Sequence, residues 1–255
     1  MKIFVCVKSV PDTAATITVV RNTGFDESVK FLVNPYDEYA IEEAVSLCEK
    51  VGGEVVVVTL GKPDAMATVR SALALGAHRA ILVTIDQQFF DSGDTANVLR
   101  KIMEDDGKGD LIFMGKQAVD SEAMQTGYRL AVGLGIPIAS EIKEFSIDGD
   151  KVCVEREIGG GEKEVIEMTQ PCIVATTKGL NEPRYPKLPA ILKAKKKEVK
   201  QIALADLGLS QVAAMELLSM EPVPERSGAK ILGGSTSEAV TELVRVLRKE
   251  EKVLV

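Results

Sequence analysis

Four short apolar runs, separated by helix-like stretches, constrain this chain more than any other feature. "KIFVCV" (2–7), "EVVVVTLG" (54–61), "RAILVTI" (79–85) and "DLIFMG" (110–115) are apolar at nearly every position. A strand with one wet face alternates, so continuous apolarity marks strands covered on both faces. Between the first two lies "NPYDEYAIEEAVSLCEKVGG", where Tyr39, Ala40, Ala44, Val45, Leu47 and Cys48 form a helical stripe and Gly52-Gly53 stops it. "DAMATVRSALALGA" and "DTANVLRKIMED" read as two further helices, and a fourth is expected from about Glu122 to Leu134. Successive strand–helix units predict an α/β fold: an open, mostly parallel sheet with helices on both faces.

After Pro137 the pattern changes. "DGD" and "GGGE" are hairpin turns, which makes "VCVEREI" and "EVIEMTQ" antiparallel partners, and "CIVATT" is a further strand free to rejoin the main sheet. From Lys178 to Lys200 the chain is proline-containing and basic, an exposed extended loop leading into a short helix or tail. "EPVPERSGAKILGGS" reads as a linker, and "STSEAVTELVRVLRKEEKVLV" as an amphipathic helix capped by serine or threonine.

Composition narrows the function. The formal net charge of −7 is the opposite of a nucleic-acid footprint. The basic run "KAKKK" (193–197) has a plain reading as a solvated segment end. Cys6, Cys48, Cys153 and Cys172 have no metal-ligand or disulfide spacing. No apolar run reaches the roughly 20 residues that span a bilayer. The N-terminus runs straight into a strand pattern rather than a signal peptide, so the expected location is the cytoplasm of a bacterium or archaeon, or the mitochondrial matrix if a precursor segment preceded it.

Ligands of open α/β sheets bind beyond the carboxyl ends of the strands. There "GKQAVDSEAMQTG" (115–127) carries more polar groups than a turn needs, and "CVKSVPDT" (6–13) and "LGKPD" (60–64) end two other strands. Backbone N–H groups opening the helix, with Ser121, Gln125 and Thr126, suit a phosphate; Asp120 and Gln117 suit ribose hydroxyls or a base edge. A nucleotide is the expected ligand. The plainer alternative is that Asp120 or Ser121 caps the helix while Gln125 and Thr126 face solvent. Neither a dinucleotide fingerprint nor a P-loop is present. His78, the single histidine, follows a helix-ending glycine and is expected against the last carbonyls. No catalytic or metal-binding constellation emerges.

At these residues the chain resembles a known family, the small (β) subunit of electron transfer flavoproteins. "VKSVPDT", "NPYDEYAIEEAV", "LALGAHRA", "MGKQAVDSEAMQTG", "VEREIGGGEKEVIE" and "GLNEPRYPKLPAILKAKKKEV" are similar to segments of that subunit, in its order, from residue 2 to about 210 and more faintly beyond. The resemblance implies a heterodimer whose larger α subunit holds most of the FAD, while the β subunit binds a structural AMP. By position, the AMP contacts are Cys6, Asn34, Pro35, Tyr36, Asp37, Leu60 and the loop Gly115, Lys116, Gln117, Ala118, Val119, Asp120, Ser121, Glu122, Ala123, Met124, Gln125 and Thr126. The domains it implies are a nucleotide-binding domain (1–183), a partner-recognition loop with a basic segment (184–200), and a C-terminal arm and helix packing on the α subunit (201–255).

In that recognition loop the resemblance implies that Leu188 would be the anchor entering an apolar pocket of an acyl-CoA dehydrogenase, beside Arg184, Tyr185 and Pro189, with Lys193 and Lys196 flanking the contact; the plainer alternative is that Leu188 packs back on this chain. Electrons would pass on to a quinone oxidoreductase, making the chain part of an electron carrier rather than a self-sufficient enzyme. An alternative comes from the bifurcating members, whose β subunit holds a second FAD in place of AMP and oxidises NADH. "DSEAMQTG" resembles the AMP-binding members, while "SGDTAN" (92–97) and "VPDT" resemble elements of the bifurcating group.

Overall fold

A computed structural model describes residues 1–209, 215–224 and 228–254. The first half begins with β1 (Lys2–Cys6), β2 (Ser9–Pro11), β3 (Val19–Val20), β4 (Gly24–Phe25) and β5 (Phe31–Val33), then α1 (Pro35–Val51). It continues through β6 (Glu54–Gly61), α2 (Met66–Ala74), β7 (Arg79–Thr84), α3 (Ser92–Asp105), β8 (Leu111–Gly115) and α4 (Thr126–Leu134). The second half holds β9 (Ile138–Asp148), β10 (Lys151–Gly159), β11 (Glu162–Thr169), β12 (Cys172–Thr176), α5 (Leu188–Ala194), β13 (Val199–Ala203) and α6 (Thr236–Lys249).

Among the described residues, nine strands form one sheet in the order β11-β10-β9-β12-β8-β1-β6-β7-β13. β9, β12, β8, β1, β6, β7 and β13 pair in parallel, and β10 and β11 add an antiparallel wing. The expected open α/β sheet, its hairpin and the return of "CIVATT" between β8 and β9 are all present.

The two-sided apolar runs divide their side chains as period two requires. Ile3, Val5, Val55, Val57, Leu111 and Phe113 pack with residues of α1 and α2. Phe4, Cys6, Val56, Val58, Ile112 and Met114 pack with residues of α3 and α4. Each such side chain fully buried contributes roughly 1.5–3 kcal/mol, so these strands hold the helices on both faces.

Local signals set the helix ends. α1 starts with Pro35 in its first turn and carries Asp37 and Glu38 there; it stops at Gly52, whose φ of 79° suits glycine. α4 stops at Gly135 in the left-handed region, with Pro137 beyond.

Three expectations change. α4 begins at Thr126, not near Glu122, because Glu122 (φ 49°) and Met124 (φ 53°) break the right-handed path. The short helix expected after the extended loop of 178–200 lies within it, as α5, and residues 199–203 form a parallel edge strand against β7 in place of a tail. Short and half-exposed, β13 carries little apolar pattern to announce it. His78 does not cap the preceding helix; its Nδ1 accepts the Val55 N–H at 3.0 Å.

The chain divides into two units, Met1–Met220 and Glu221–Val255. The second contains α6, opened by a capping box in which Ser235 and Glu238 serve each other's backbone N–H. Val240, Leu243 and Val244 line one exposed side of that helix. Residues 225–227 of the expected linker lie outside the described residues.

Candidate nucleotide crevice and docking ridge

The chain runs outward from β1 through β6 to β7, then returns to place β8 on the opposite side of β1. That reversal is a switch point, and the crevice expected beyond the carboxyl ends of β1 and β8 is the usual ligand position in such sheets. Three segments meet there: the residues after β1, the start of α1, and the loop from Gly115 to Gln125.

Asp37 and Asn34 hold these segments together. Both are buried, with Asp37 at 5% exposure and Asn34 at 1%. Asp37 Oδ2 accepts the Lys8 backbone N–H at 2.7 Å. Its Oδ1 accepts the Gly115 N–H at 3.0 Å and the Asn34 side-chain amide at 2.9 Å. That amide also donates to Gln117 O at 2.9 Å, while Asn34 Oδ1 accepts the Val119 N–H at 3.1 Å. Two side chains thereby satisfy backbone groups of two strand-end loops. Burial pushes the Asp37 carboxyl up to about 7, against the pull of its hydrogen bonds from Lys8, Asn34 and Gly115.

Asp120 spans the crevice. Lys8 Nζ donates to its Oδ1 at 2.7 Å, so this carboxylate joins the β1 end to the β8 loop and is not a helix cap. Gln125 stands at the N-cap position of α4 but makes no side-chain cap bond. Its Oε1 instead accepts Arg129 Nη2 at 2.7 Å. No side chain caps α4, and the capping alternative for this loop falls.

The other expected contacts occupy varied positions. Cys6 is buried among the side chains under α3 and α4, and burial, then the nearby Asp37 charge, pushes its thiol well up. Leu60, half-buried, packs against the same cluster. Lys116 Nζ donates to Glu141 at 2.8 Å and lies 5.5 Å from the centre of the Tyr36 ring. Ala118, Val119, Met124 and Thr126 are half-buried, whereas Pro35, Ser121, Glu122 and Ala123 are exposed.

Three residues absent from the expected site take part in it. Lys8 closes the crevice, Thr176 Oγ1 donates to Tyr36 O at 2.9 Å, and Glu141 receives Lys116. Glu141 sits at a register shift in β9 with φ of 65°. Lys8 lies in the strand-end segment 6–13 that the sequence marks, but Thr176 and Glu141 have no local signal, because their partners are remote in the chain.

The match to known proteins bears on the whole of this arrangement. The Electron transfer flavoprotein domain matches residues 23–207. The chain is 39% identical to the "Electron transfer flavoprotein subunit beta" of Bacillus subtilis (strain 168), covering 100% of both chains. It is 38% identical to the protein of the same name from Homo sapiens, over 97% of this chain and 98% of the relative. The chain belongs to the electron transfer flavoprotein family. Both of these relatives, matched over nearly their full length, are named as beta subunits.

In this electron transfer flavoprotein chain, the segment after β12 forms a second surface. Leu188 opens α5, and Leu188, Ile191 and Leu192 share one helical side by their spacing. Leu188 is 68% exposed and Tyr185 95% exposed, and Ile191 and Leu192 are also exposed. Pro189, Lys193 and Lys196 are exposed around them. Ile191 and Leu192 were not singled out in the sequence, since their segment reads as an extended loop with no helical side to share.

Arg184, expected among the docking residues, also has partners inside the chain. Its guanidinium is engaged within the chain by Glu42 and Glu49 of α1. Lys197 likewise leaves the exposed basic cluster: its Nζ donates to Leu73 O at 2.9 Å and to Ala77 O. No helix among the described residues is long and apolar enough to cross a membrane.

Proposed function

We propose that the chain is the β subunit of a heterodimeric electron transfer flavoprotein, with a structural AMP in the crevice and the α5 ridge as its redox docking surface. The observation that carries this is the Asn34–Asp37 tie, which builds a polar loop across the switch point of the sheet without assembling a catalytic group. The residues present suit a nucleotide. α4 offers N–H groups that no side chain caps, Ser121 is exposed in the loop that leads to them, and Gly115 lets the loop pass close to α1. Asn34 through Asp37 and the loop from Gly115 to Thr126 would hold AMP, with Cys6 and Leu60 forming its floor.

FAD, shared with and mainly held by the α subunit, supplies the electron-accepting and electron-releasing chemistry when bound. This chain's residues shape and dock; they transfer no proton and form no covalent bond. The exposed stripe of α6, Val240, Leu243 and Val244, suits burial against the α subunit. Acyl-CoA dehydrogenases are the proposed electron donors and a quinone oxidoreductase the acceptor. Leu188 entering an apolar pocket contributes about 2 kcal/mol, which suits a short-lived redox encounter steered by Lys193 and Lys196.

The bifurcating alternative, with a second FAD in the crevice and NADH as donor, rests on "SGDTAN" and "VPDT". The first of these has a local explanation: Asp91 caps α3 through Gly93 and Asp94 N–H groups, and Thr95 Oγ1 bonds Asp91 O. The deciding experiment is to co-express the chain with an α subunit, denature the heterodimer and quantify released nucleotides. One FAD and one AMP support the carrier. Two FAD with no AMP establish the bifurcating form, and no nucleotide removes the proposal.

A further inference from the structure

The segment between β12 and β13 is a strap across the helical layer. β12 and β13 lie five strand spacings apart in the sheet, roughly 24 Å at about 4.8 Å each. The strap crosses on the α1 and α2 side, where Leu180 and Val199 pack against the core and Ala194 is buried in it. It is fastened at both ends, and the apolar ridge lies between the fastenings.

The first fastening is on α1. Arg184 Nε donates to Glu42 Oε2 at 2.8 Å and Nη2 to Glu42 Oε1 at 3.0 Å. Its Nη1 donates to Glu49 Oε1 at 2.7 Å, and its backbone N–H to Glu42 Oε2 at 3.0 Å. Asn181 adds bonds to Tyr39 O at 3.0 Å and to Glu43 at 2.9 Å. Burial alone would raise the Glu42 carboxyl, but the Arg184 hydrogen bonds bring it below its usual value. Such forked contacts fix direction as well as distance.

The second fastening is on α2. Arg70 Nη1 donates to Ala194 O at 2.8 Å and Lys197 O at 2.7 Å, serving carbonyls at and beyond the end of α5. Lys197 Nζ returns to α2 through Leu73 O at 2.9 Å.

We infer that Arg184 and Arg70 are positioning residues for docking: they pin the two ends of the strap so that Tyr185, Leu188 and Leu192 stand in a fixed ridge before a partner arrives. The guanidinium donors of Arg184 are engaged inside the chain by Glu42 and Glu49. A ridge ordered in advance loses less conformational freedom on association, which lowers the cost of a contact too small to pay for much ordering. The inference rests on the docking role proposed for α5 and adds what makes that role effective.

The test uses the assembled heterodimer with an acyl-CoA dehydrogenase as reductant. Arg184→Gln and Arg70→Gln are compared with wild type for KM towards the dehydrogenase, kcat, FAD content and amide exchange over residues 185–193. The expected result is faster exchange and a KM raised about tenfold, with kcat and FAD content near wild type. Faster exchange with unchanged KM overturns the inference, as does unchanged exchange. Where Arg184→Gln gives no soluble heterodimer, Glu49→Gln removes the exposed half of the fork and carries the same expectations. Leu188→Ala separates the two readings. If it leaves KM unchanged, the docking role itself fails; if it raises KM while the arginine variants do not, only the positioning role fails.

Discussion

Asp37 Oδ1 accepts the backbone N–H of Gly115 at 3.0 Å, joining the first turn of α1 to the end of β8 across 78 positions of sequence. This bond places the polar loop where the sheet reverses direction. Its loss would free the loop without emptying the core, so several consequences for binding and stability are separable.

The Asp37 carboxyl is raised from 3.8 to about 7 by burial. A folded-state value above the unfolded one means that the native state holds the extra proton between those limits. The resulting stabilisation is full below the unfolded carboxylate range and is lost as pH rises through about 7. Asp37→Asn should flatten this part of the pH–stability curve in denaturant titrations. It should also lower stability by roughly 1–3 kcal/mol, since an amide cannot accept all three donors. Parallel wild-type and variant curves between pH 4 and 8 would show that Asp37 does not titrate there.

Gly115 permits the close approach. A Cβ at this position would lie 2.6 Å from Tyr36 Cβ and would also collide with Asp37 Oδ1. Gly115→Ala should therefore destabilise by about 1–3 kcal/mol and reduce bound nucleotide. Thermal melts and nucleotide release check it, and a wild-type melting temperature would mean that the two segments separate at no cost.

Asp120 and Lys8 form a partly exposed ion pair at 2.7 Å, a type usually worth under about 1 kcal/mol. Asp120→Ala should leave the isolated chain's melting nearly unchanged while weakening nucleotide retention and heterodimer assembly, and the docking surface should be unaffected. Nucleotide content equal to wild type would remove Asp120 from the site.

Leu188→Ala should slow electron transfer from the dehydrogenase strongly, with flavin content and heterodimer stability near wild type, because the side chain is 68% exposed in this chain. Stopped-flow reduction of the flavin reads the rate. Loss of flavin or of folding would mark Leu188 as structural instead.

At the opposite, amino end of the strands, Arg79 bonds Glu54 at 2.9 and 3.0 Å and Asp106 at 3.1 and 2.6 Å. Arg79→Gln should cost about 1–3 kcal/mol in thermal or denaturant unfolding, since Asp106 is mostly buried. Nucleotide content and docking should not change. An effect on either would show coupling through the sheet.

The sheet was legible in the sequence because consecutive Val, Ile and Leu in β1, β6, β7 and β8 can be buried on both sides in few architectures. Pro35 and Gly52 likewise marked the ends of α1, since backbone geometry at those points depends on the residue itself. The α4 boundary was not legible. Sequence composition favours helix from Glu122, but positive φ at Glu122 and Met124 follows from how the loop is tied down.

The separate jobs within each motif were also hidden. "NPYD" and "KQAVD" stand out as polar groups near strand ends, yet nothing local says that Asp37 serves the backbone or that Asp120 meets Lys8. Arg184 entered the docking set through the resemblance of its loop, and no local pattern says that packing against α1 also brings Glu42 and Glu49 to it. The sequence by itself determined the central strands β1, β6, β7 and β8, the later hairpin, most helices and the segments that make up the site, because periodicity and turn chemistry act over a few residues. The tertiary structure decided which polar groups are consumed internally and which stay exposed for a ligand or partner, because hydrogen bonds across 78 or 142 positions exist only after the sheet and helices have packed.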